Sequence, residues 1–134
     1  MSAIIVLADD EPDLRAIYAE VLRRGGYEVF EASDGAEAIE MVETHGPDLL
    51  ILDVWMPGVN GFEVLDQLRH DPGATTLKVV MFSNLSDGET RLEGYSAGVT
   101  DYWVKGMTIE ELLNRVREIL SPEDRGVNPV GDPT

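Results

Sequence analysis

The chain has no cysteine, which excludes disulfides and thiolate metal sites and gives no reason to place it in an oxidising compartment. Cations are scarce: 10 lysines and arginines stand against 26 acids, a formal charge of −16 over 134 residues. So acidic a surface repels nucleic acid and anionic membranes, although its commonest consequence is simple solubility. No apolar run nears the roughly 18 residues of a membrane span. Met1-Ser2-Ala3-Ile4 lacks the basic opening of a signal peptide, so the cytoplasm is the expected location. The two histidines, His45 and His70, fall near expected helix ends, far in sequence from any acidic cluster, and read as polar surface groups rather than ligands.

What is present is organised around Leu49-Leu50-Ile51-Leu52-Asp53, an apolar run that ends in an acid and is followed by Pro57-Gly58. Such a run suits a strand buried on both faces, with Asp53 at its carboxyl end. Taken alone, Asp53 reads as a residue that caps a turn. The same pattern of short apolar run and amphipathic segment occurs five times. Ala3 to Ala8 is closed by Asp9-Asp10-Glu11, and Leu14, Ile17, Tyr18, Val21 and Leu22 then recur at helical spacing, between Pro12 and Gly25-Gly26. Tyr27 to Ala32 precedes a helix that opens at Ser33-Asp34, turns Gly35, Ala38, Ile39 and Val42 inward and stops at His45-Gly46-Pro47. After Asp53 a looser helix runs through Phe62, Leu65 and Leu68 to Asp71-Pro72-Gly73.

Leu77 to Phe82 makes a fourth strand with Ser83-Asn84 at its end, and Ser86-Asp87-Gly88-Glu89 has the spacing of a capping box for a weakly apolar fourth helix. Tyr102-Trp103-Val104 is a short fifth strand that runs into Lys105-Gly106. Thr108 and Glu111 form a second capping box, ahead of the stripe Ile109, Leu112, Leu113, Val116, Ile119 and Leu120. Residues 121–134 turn to proline, glycine and charge without periodicity and read as a flexible tail or linker stub. Residues 1–120 read as one domain, long enough to bury roughly two thirds of its unfolded surface.

Strands that each lead into a helix imply a parallel α/β sheet, doubly wound, with helices on both faces. Its strands share one carboxyl edge, where ligands of such sheets bind. The cluster Asp9-Asp10-Glu11, Asp53, Ser83 and Lys105 would meet along that edge. Individually they read as a helix cap, a turn, a strand-end hydroxyl and a surface lysine; four coincidences at four strand ends argue for a site. Close carboxylates repel one another unless a cation or proton intervenes. An all-oxygen set without EF-hand spacing, leaving room for water and a phosphoryl oxygen, suits Mg²⁺ better than Ca²⁺. A carboxylate beside such an ion could attack a phosphate donor in line, with Lys105 and the Ser83 hydroxyl meeting the transferred oxygens.

Asp9-Asp10-Glu11-Pro12, Ser33-Asp34-Gly35, Asp53 with Met56-Pro57-Gly58 and Gly61, Ser83, and Asp101-Tyr102 with Lys105 together resemble the receiver domain of two-component response regulators, chemotaxis regulators included. The resemblance spans about residues 3–120. It implies a flavodoxin-like five-stranded sheet of order 2-1-3-4-5, with Asp53 as phosphoacceptor. It implies Mg²⁺ held by Asp10, Asp53 and the main-chain carbonyl of Trp55, with Asp9 acting through a coordinated water. Ser83 would bond the phosphoryl group, Lys105 would pair with it, and Tyr102 would turn inward as an aromatic switch. The implied partners are a sensor histidine kinase or phosphotransfer protein and a downstream protein target, without direct contact to nucleic acid or membrane. The family also pairs as homodimers through the fourth helix, fifth strand and fifth helix. The protein is then not a conventional enzyme, although it assists its own phosphorylation and dephosphorylation.

The sequence departs from the family pattern at two positions. Gly106 replaces the proline that usually follows the lysine in a cis peptide, so a trans Lys105-Gly106 bond is expected, a cis bond before a non-proline costing about 2.5 to 4 kcal/mol. Asn84 is larger than the usual residue after the hydroxyl. Trp55 and Leu85 occupy positions that influence acyl-phosphate hydrolysis in the family, and their bulk implies slow loss of phosphate. Trp103 alternates with Tyr102 and should pack in the core. Other classes are a receiver-like interaction domain independent of phosphate and a phosphatase with an aspartyl nucleophile. The latter would want an acid where Trp55 stands. A flavin module would want a hydroxyl-rich loop where Asp9-Asp10-Glu11 would repel phosphate.

Overall fold

The structure is a computed structural model and describes residues 2–84 and 93–121. Five parallel strands, β1 (Ile4–Ala8), β2 (Glu28–Ala32), β3 (Leu49–Leu52), β4 (Lys78–Ser83) and β5 (Asp101–Val104), form one sheet in the order β2-β1-β3-β4-β5. The helices are α1 (Pro12–Arg24), α2 (Gly35–His45), α3 (Gly61–Arg69), α4, described over residues 93–96, and α5 (Ile109–Leu120). The expected capping box at Ser86–Glu89, Leu85 and the tail beyond Ser121 lie outside the described residues.

Period-two alternation along the strands divides the core. Ile5, Leu7, Leu49, Ile51, Val80, Phe82 and Trp103 face Ala19, Val21 and Leu22 of α1 and Leu112 and Val116 of α5. Val6, Ala8, Leu50, Leu52, Val79, Met81 and Tyr102 face Ala38 and Val42 of α2 and Val64, Leu65 and Leu68 of α3. Tyr102 and Trp103 therefore point to opposite faces, as neighbours on a strand must. Trp103 is core, as its position suggested. Tyr102 is buried as well, its ring packing beside Gly94 and Met81.

Local chemistry explains the helix ends. Asp34 accepts from the Glu37 amide at the start of α2, and Gly46 ends it in the left-handed conformation. Capping boxes open α3 at Asn60 and Glu63 and α5 at Thr108 and Glu111. Glu11 begins α1 with no side-chain cap and leaves Pro12 in the first turn. Two members of the expected apolar stripes do not face the core: Ile17 is 58% exposed and Ile109 is 62% exposed. Both lie on the outward sides of α1 and α5, because the apolar stripe on each helix is wider than the strip that meets the sheet.

Gly61 opens α3 against the turn after β3, where its amide donates to the Val54 carbonyl at 2.7 Å. A Cβ there would stand 2.6 Å from the Asp53 carbonyl oxygen and 2.9 Å from Val54 Cα, both backbone atoms that cannot swing aside. Gly61→Ala is expected to lower unfolding stability by about 1–3 kcal/mol, read as a lower urea midpoint at unchanged slope.

Candidate functional site

The register of the sheet builds the site. Ala8 pairs with Leu52 across β1 and β3, so the next residues, Asp9 and Asp53, leave adjacent strands at one level, where neighbouring chains are about 4.8 Å apart. The Asp53 amide donates to the Ala8 carbonyl at 3.0 Å and fixes that level. On the other side Ser83 pairs with Val104, and the Lys105 amide donates to the Ser83 carbonyl at 2.7 Å. The sheet reverses its direction of winding between β1 and β3, since α1 leads outward to β2 whereas α3 leads to β4. Asp9 and Asp53 flank that crevice, the place where open α/β sheets bind ligands.

Asp9, Asp10 and Asp53 each present a carboxylate oxygen, and these oxygens lie within 4.8 Å of one another. Asp9 and Asp53 are buried, at 2% and 9% exposure, whereas Asp10 is exposed. Lys105 Nζ reaches between the two buried acids, 2.6 Å from Asp9 Oδ2 and 3.4 Å from Asp53 Oδ2, and sits 5.9 Å above the centre of the Phe82 ring. Asp9 is held further by the Glu11 amide, which donates to its Oδ1 at 2.9 Å.

Three carboxylates and one ammonium leave an excess of two negative charges, which is the charge a divalent ion supplies. The donors are all oxygen and the outer one is open to water, so the set fits Mg²⁺ with part of its hydration shell retained. Burial pushes the Asp53 carboxyl above the usual aspartate range; the charge of Lys105, the next largest influence, opposes this, and the smaller effect of Asp9 adds to it. Burial pulls Lys105 down, but its bond to Asp9 and the charges of Asp53 and Asp9 outweigh this and raise it, so the ammonium is secure.

The structure thus brings Asp9, Asp10, Asp53 and Lys105 together. Ser83 stands buried at the end of β4, one strand from Asp53 and joined to Lys105 through the backbone. Tyr102 lies on the opposite face of the sheet from Phe82, which underlies Lys105. The Trp55 indole is exposed and meets Phe62 edge-on, while its backbone amide bonds the Asp53 carboxylate. The Lys105-Gly106 peptide is trans, as expected, and Gly106 has φ +107°, a conformation closed to proline.

Two contributors are missing from the sequence reading. Arg15 donates to the Asp9 carbonyl at 2.8 Å while its Nε meets Glu31 at 3.1 Å, which pins the loop that carries Asp9 and Asp10. Tyr18 packs edge-on against Phe82 and bonds the Gly106 backbone; burial raises its phenol, opposed by Lys105. Both sit in an ordinary amphipathic helix, and only the tertiary contact distinguishes them.

The sequence profile described as the response regulator receiver domain matches residues 5–117. Response regulator MprA of Mycobacterium tuberculosis is 38% identical over 127 residues, which are 92% of this chain and 54% of that protein. The DNA-binding dual master transcriptional regulator RpaA of Synechocystis is 34% identical over 121 residues, 90% of this chain and 50% of that one. The chain spans about half the length of these relatives. Among solved structures, chemotaxis protein CheY4 of Vibrio cholerae superposes with a TM-score of 0.85 at 30% identity, covering 90% of this chain and all of that one.

A carboxyl raised by burial binds protons in the folded state at a pH where the unfolded chain has released them, so this group's stabilising effect is complete below pH 3.8 and is lost as pH rises through the folded value. Asp53→Asn removes the buried charge and leaves Lys105 paired with Asp9. The variant is expected to melt roughly 3–5 °C above the parent at pH 7, with the gap closing as the pH falls toward 3.8. Differential scanning calorimetry across that range checks it.

Proposed function

Because the chain belongs to the response regulator receiver domain family, we propose that it is a phosphoacceptor signalling module that takes a phosphoryl group from a histidine kinase or phosphotransfer protein onto Asp53. The observation that carries this reading is the shared contact of Lys105 Nζ with buried Asp9 and Asp53, beside exposed Asp10. An Asp53 carboxylate oxygen bonds to phosphorus while the phosphorus–nitrogen bond of a phosphohistidine breaks, and the electron pair stays on the imidazole nitrogen. Asp10, Asp53 and the Trp55 carbonyl would hold Mg²⁺, with Asp9 acting through a coordinated water. That ion supplies the charge that offsets the phosphoryl oxygens as they approach two carboxylates.

The remaining steps belong to the chain's own groups. Phosphorylation adds about two negative charges and three acceptor oxygens at Asp53. Lys105, already held between the acids, shifts its pairing toward those oxygens, and the Ser83 hydroxyl donates to them. Movement of Ser83 on β4 gives Tyr102 on β5 its second position, and the surface of α4, β5 and α5 then differs between the two states. A downstream protein that prefers one version reads the signal. Residues 1–120 form the receiver. The surplus acid on the domain speaks against direct contact with nucleic acid, and the domain works in the cytoplasm. Among the described residues no helix is long and apolar enough to cross a membrane.

Incubation with acetyl phosphate and Mg²⁺ is expected to add one phosphate to the parent mass and none to Asp53→Asn. The bulk of Trp55 beside the site keeps water away, so the adduct should persist for minutes or longer. No gain in the parent, or release of phosphate in large excess over protein, would contradict the reading. Lys105→Ala removes the cation facing two of the acids and should tighten Mg²⁺ binding roughly tenfold, while uncoupling phosphorylation from the change around Tyr102. Isothermal titration with Mg²⁺ checks the first effect and tyrosine-sensitive NMR shifts the second.

A further inference from the structure

Lys105 crosses from the end of β5 to the two buried acids, and where its ammonium stands depends on the turn that launches it. That turn has little restraint of its own. Gly106 follows in a trans peptide at φ +107°, and glycine is the residue with the most backbone freedom to lose. A Cβ at Gly106 would meet nothing within 4 Å, so no packing on that side confines it. The Ser83 carbonyl accepts from the Lys105 amide at 2.7 Å, which fixes Lys105 as it leaves the sheet and leaves the next peptide to be held from elsewhere.

Tyr18 reaches that peptide from α1. Its hydroxyl bonds the Gly106 backbone, and its ring meets Phe82 edge-on with centroids 4.9 Å apart. Phe82 in turn lies beneath the Lys105 ammonium, 5.9 Å from Nζ to its ring centre. One side chain thus touches both the turn that launches Lys105 and the ring above which its charge comes to rest. On the strength of this placement, and resting on the phosphoacceptor reading above, we infer that Tyr18 is a positioning residue for Lys105, through which α1 sets the distance between the cation of the site and its acids.

Arg15 supplies the other half of the arrangement. It lies three residues before Tyr18, on the same side of α1, and donates to the Asp9 carbonyl at 2.8 Å. One turn of helix therefore grips the acid-bearing loop after β1 with Arg15 and the lysine-bearing turn after β5 with Tyr18. The 2.6 Å contact of Lys105 Nζ with Asp9 Oδ2 lies between these two grips. Ala19, Val21 and Leu22 bury α1 against the sheet, so the helix is a fixed support. The hydroxyl separates this role from simple filling of the core. A phenylalanine would pack on Phe82 equally well, and a half-buried tyrosine can give its hydroxyl to water, yet here it is turned onto Gly106.

Tyr18→Phe keeps the ring on Phe82 and removes the hydroxyl. Lys78 and Lys105 are the two lysines of the chain, and Lys78, bonded to the Ile119 carbonyl at the start of β4, is an internal control at the opposite edge of the sheet. Reductive methylation with limiting ¹³C-formaldehyde, read by NMR without Mg²⁺ or phosphodonor, reports the accessibility of each. Lys105, with its side chain 5% exposed, should label about two- to tenfold faster in Tyr18→Phe, the range that one neutral hydrogen bond commands, while Lys78 keeps its rate. An unchanged Lys105 rate, or acceleration of both lysines together as in a loosened fold, overturns the inference. A second measurement ties the position to the reaction. Phosphorylation of Asp53 by acetyl phosphate with Mg²⁺ should slow by a similar factor in Tyr18→Phe, and the same substitution in a Lys105→Ala background should change nothing further, since no cation is left to place. No slowing, or equal slowing with and without Lys105, contradicts the inference. A parent that takes up no phosphate sinks the phosphoacceptor reading instead, and the labelling ratio still decides whether Tyr18 places Lys105.

Discussion

Two buried carboxylates share one ammonium, and most of the architecture serves to keep them that way. Asp53 would move away or take up a proton if the sheet let it, since burial and the neighbouring charge of Asp9 both disfavour its charged form. The bond from the Asp53 amide to the Ala8 carbonyl and the matched pairing of Ala8 with Leu52 deny it that escape. Lys105 supplies partial compensation from the far side, its backbone tied to Ser83 and its ammonium above the Phe82 ring. The core on either side of the sheet is dense and apolar, so the charge imbalance is confined to one edge.

That imbalance gives the site its chemistry. A pocket with equal charges of each sign would bind neither a divalent ion nor a phosphoryl group with any preference. One whose acids outnumber its cations by two suits a divalent ion such as Mg²⁺, and an arriving phosphoryl group would redistribute the charges in it. Lys105 sits 2.6 Å from Asp9 and 3.4 Å from Asp53, so a small movement changes its principal partner. The loop that bears Asp9 and Asp10 is held by Arg15 and Glu11 rather than by a helix cap, which leaves the acids free of the capping duty that acids in such loops commonly perform.

Much of this was legible in the sequence because it rests on local rules. The uninterrupted apolar run Leu49–Leu52 specifies a strand buried on both faces, and the alternation of strands and helices specifies a parallel sheet whose carboxyl ends share one edge. Asp9, Asp10, Asp53 and Lys105 follow as neighbours from that topology. Less legible was anything decided by contacts between distant segments. Ile17 and Ile109 belong to apolar stripes by spacing, yet face water because the sheet meets only part of each stripe. Arg15 and Tyr18 look like routine helix residues, and their attachment to the Asp9 loop and to Gly106 exists only once α1 is docked. Burial of Tyr102 depends on the close approach of Gly94, which no pattern within β5 announces.

Lys105, held between Asp9 and Asp53, should be drawn away by a third, transient anion at the site. A crystal structure of the protein with Mg²⁺ and trifluoroberyllate, a stable stand-in for the phosphoryl group, tests this most directly. The account predicts the beryllium on an Asp53 carboxylate oxygen, the metal touching Asp10 and Asp53, and Lys105 Nζ transferred from Asp9 to a fluoride. Trifluoroberyllate bound elsewhere, or Lys105 still bridging Asp9 and Asp53 beneath an occupied site, would contradict it.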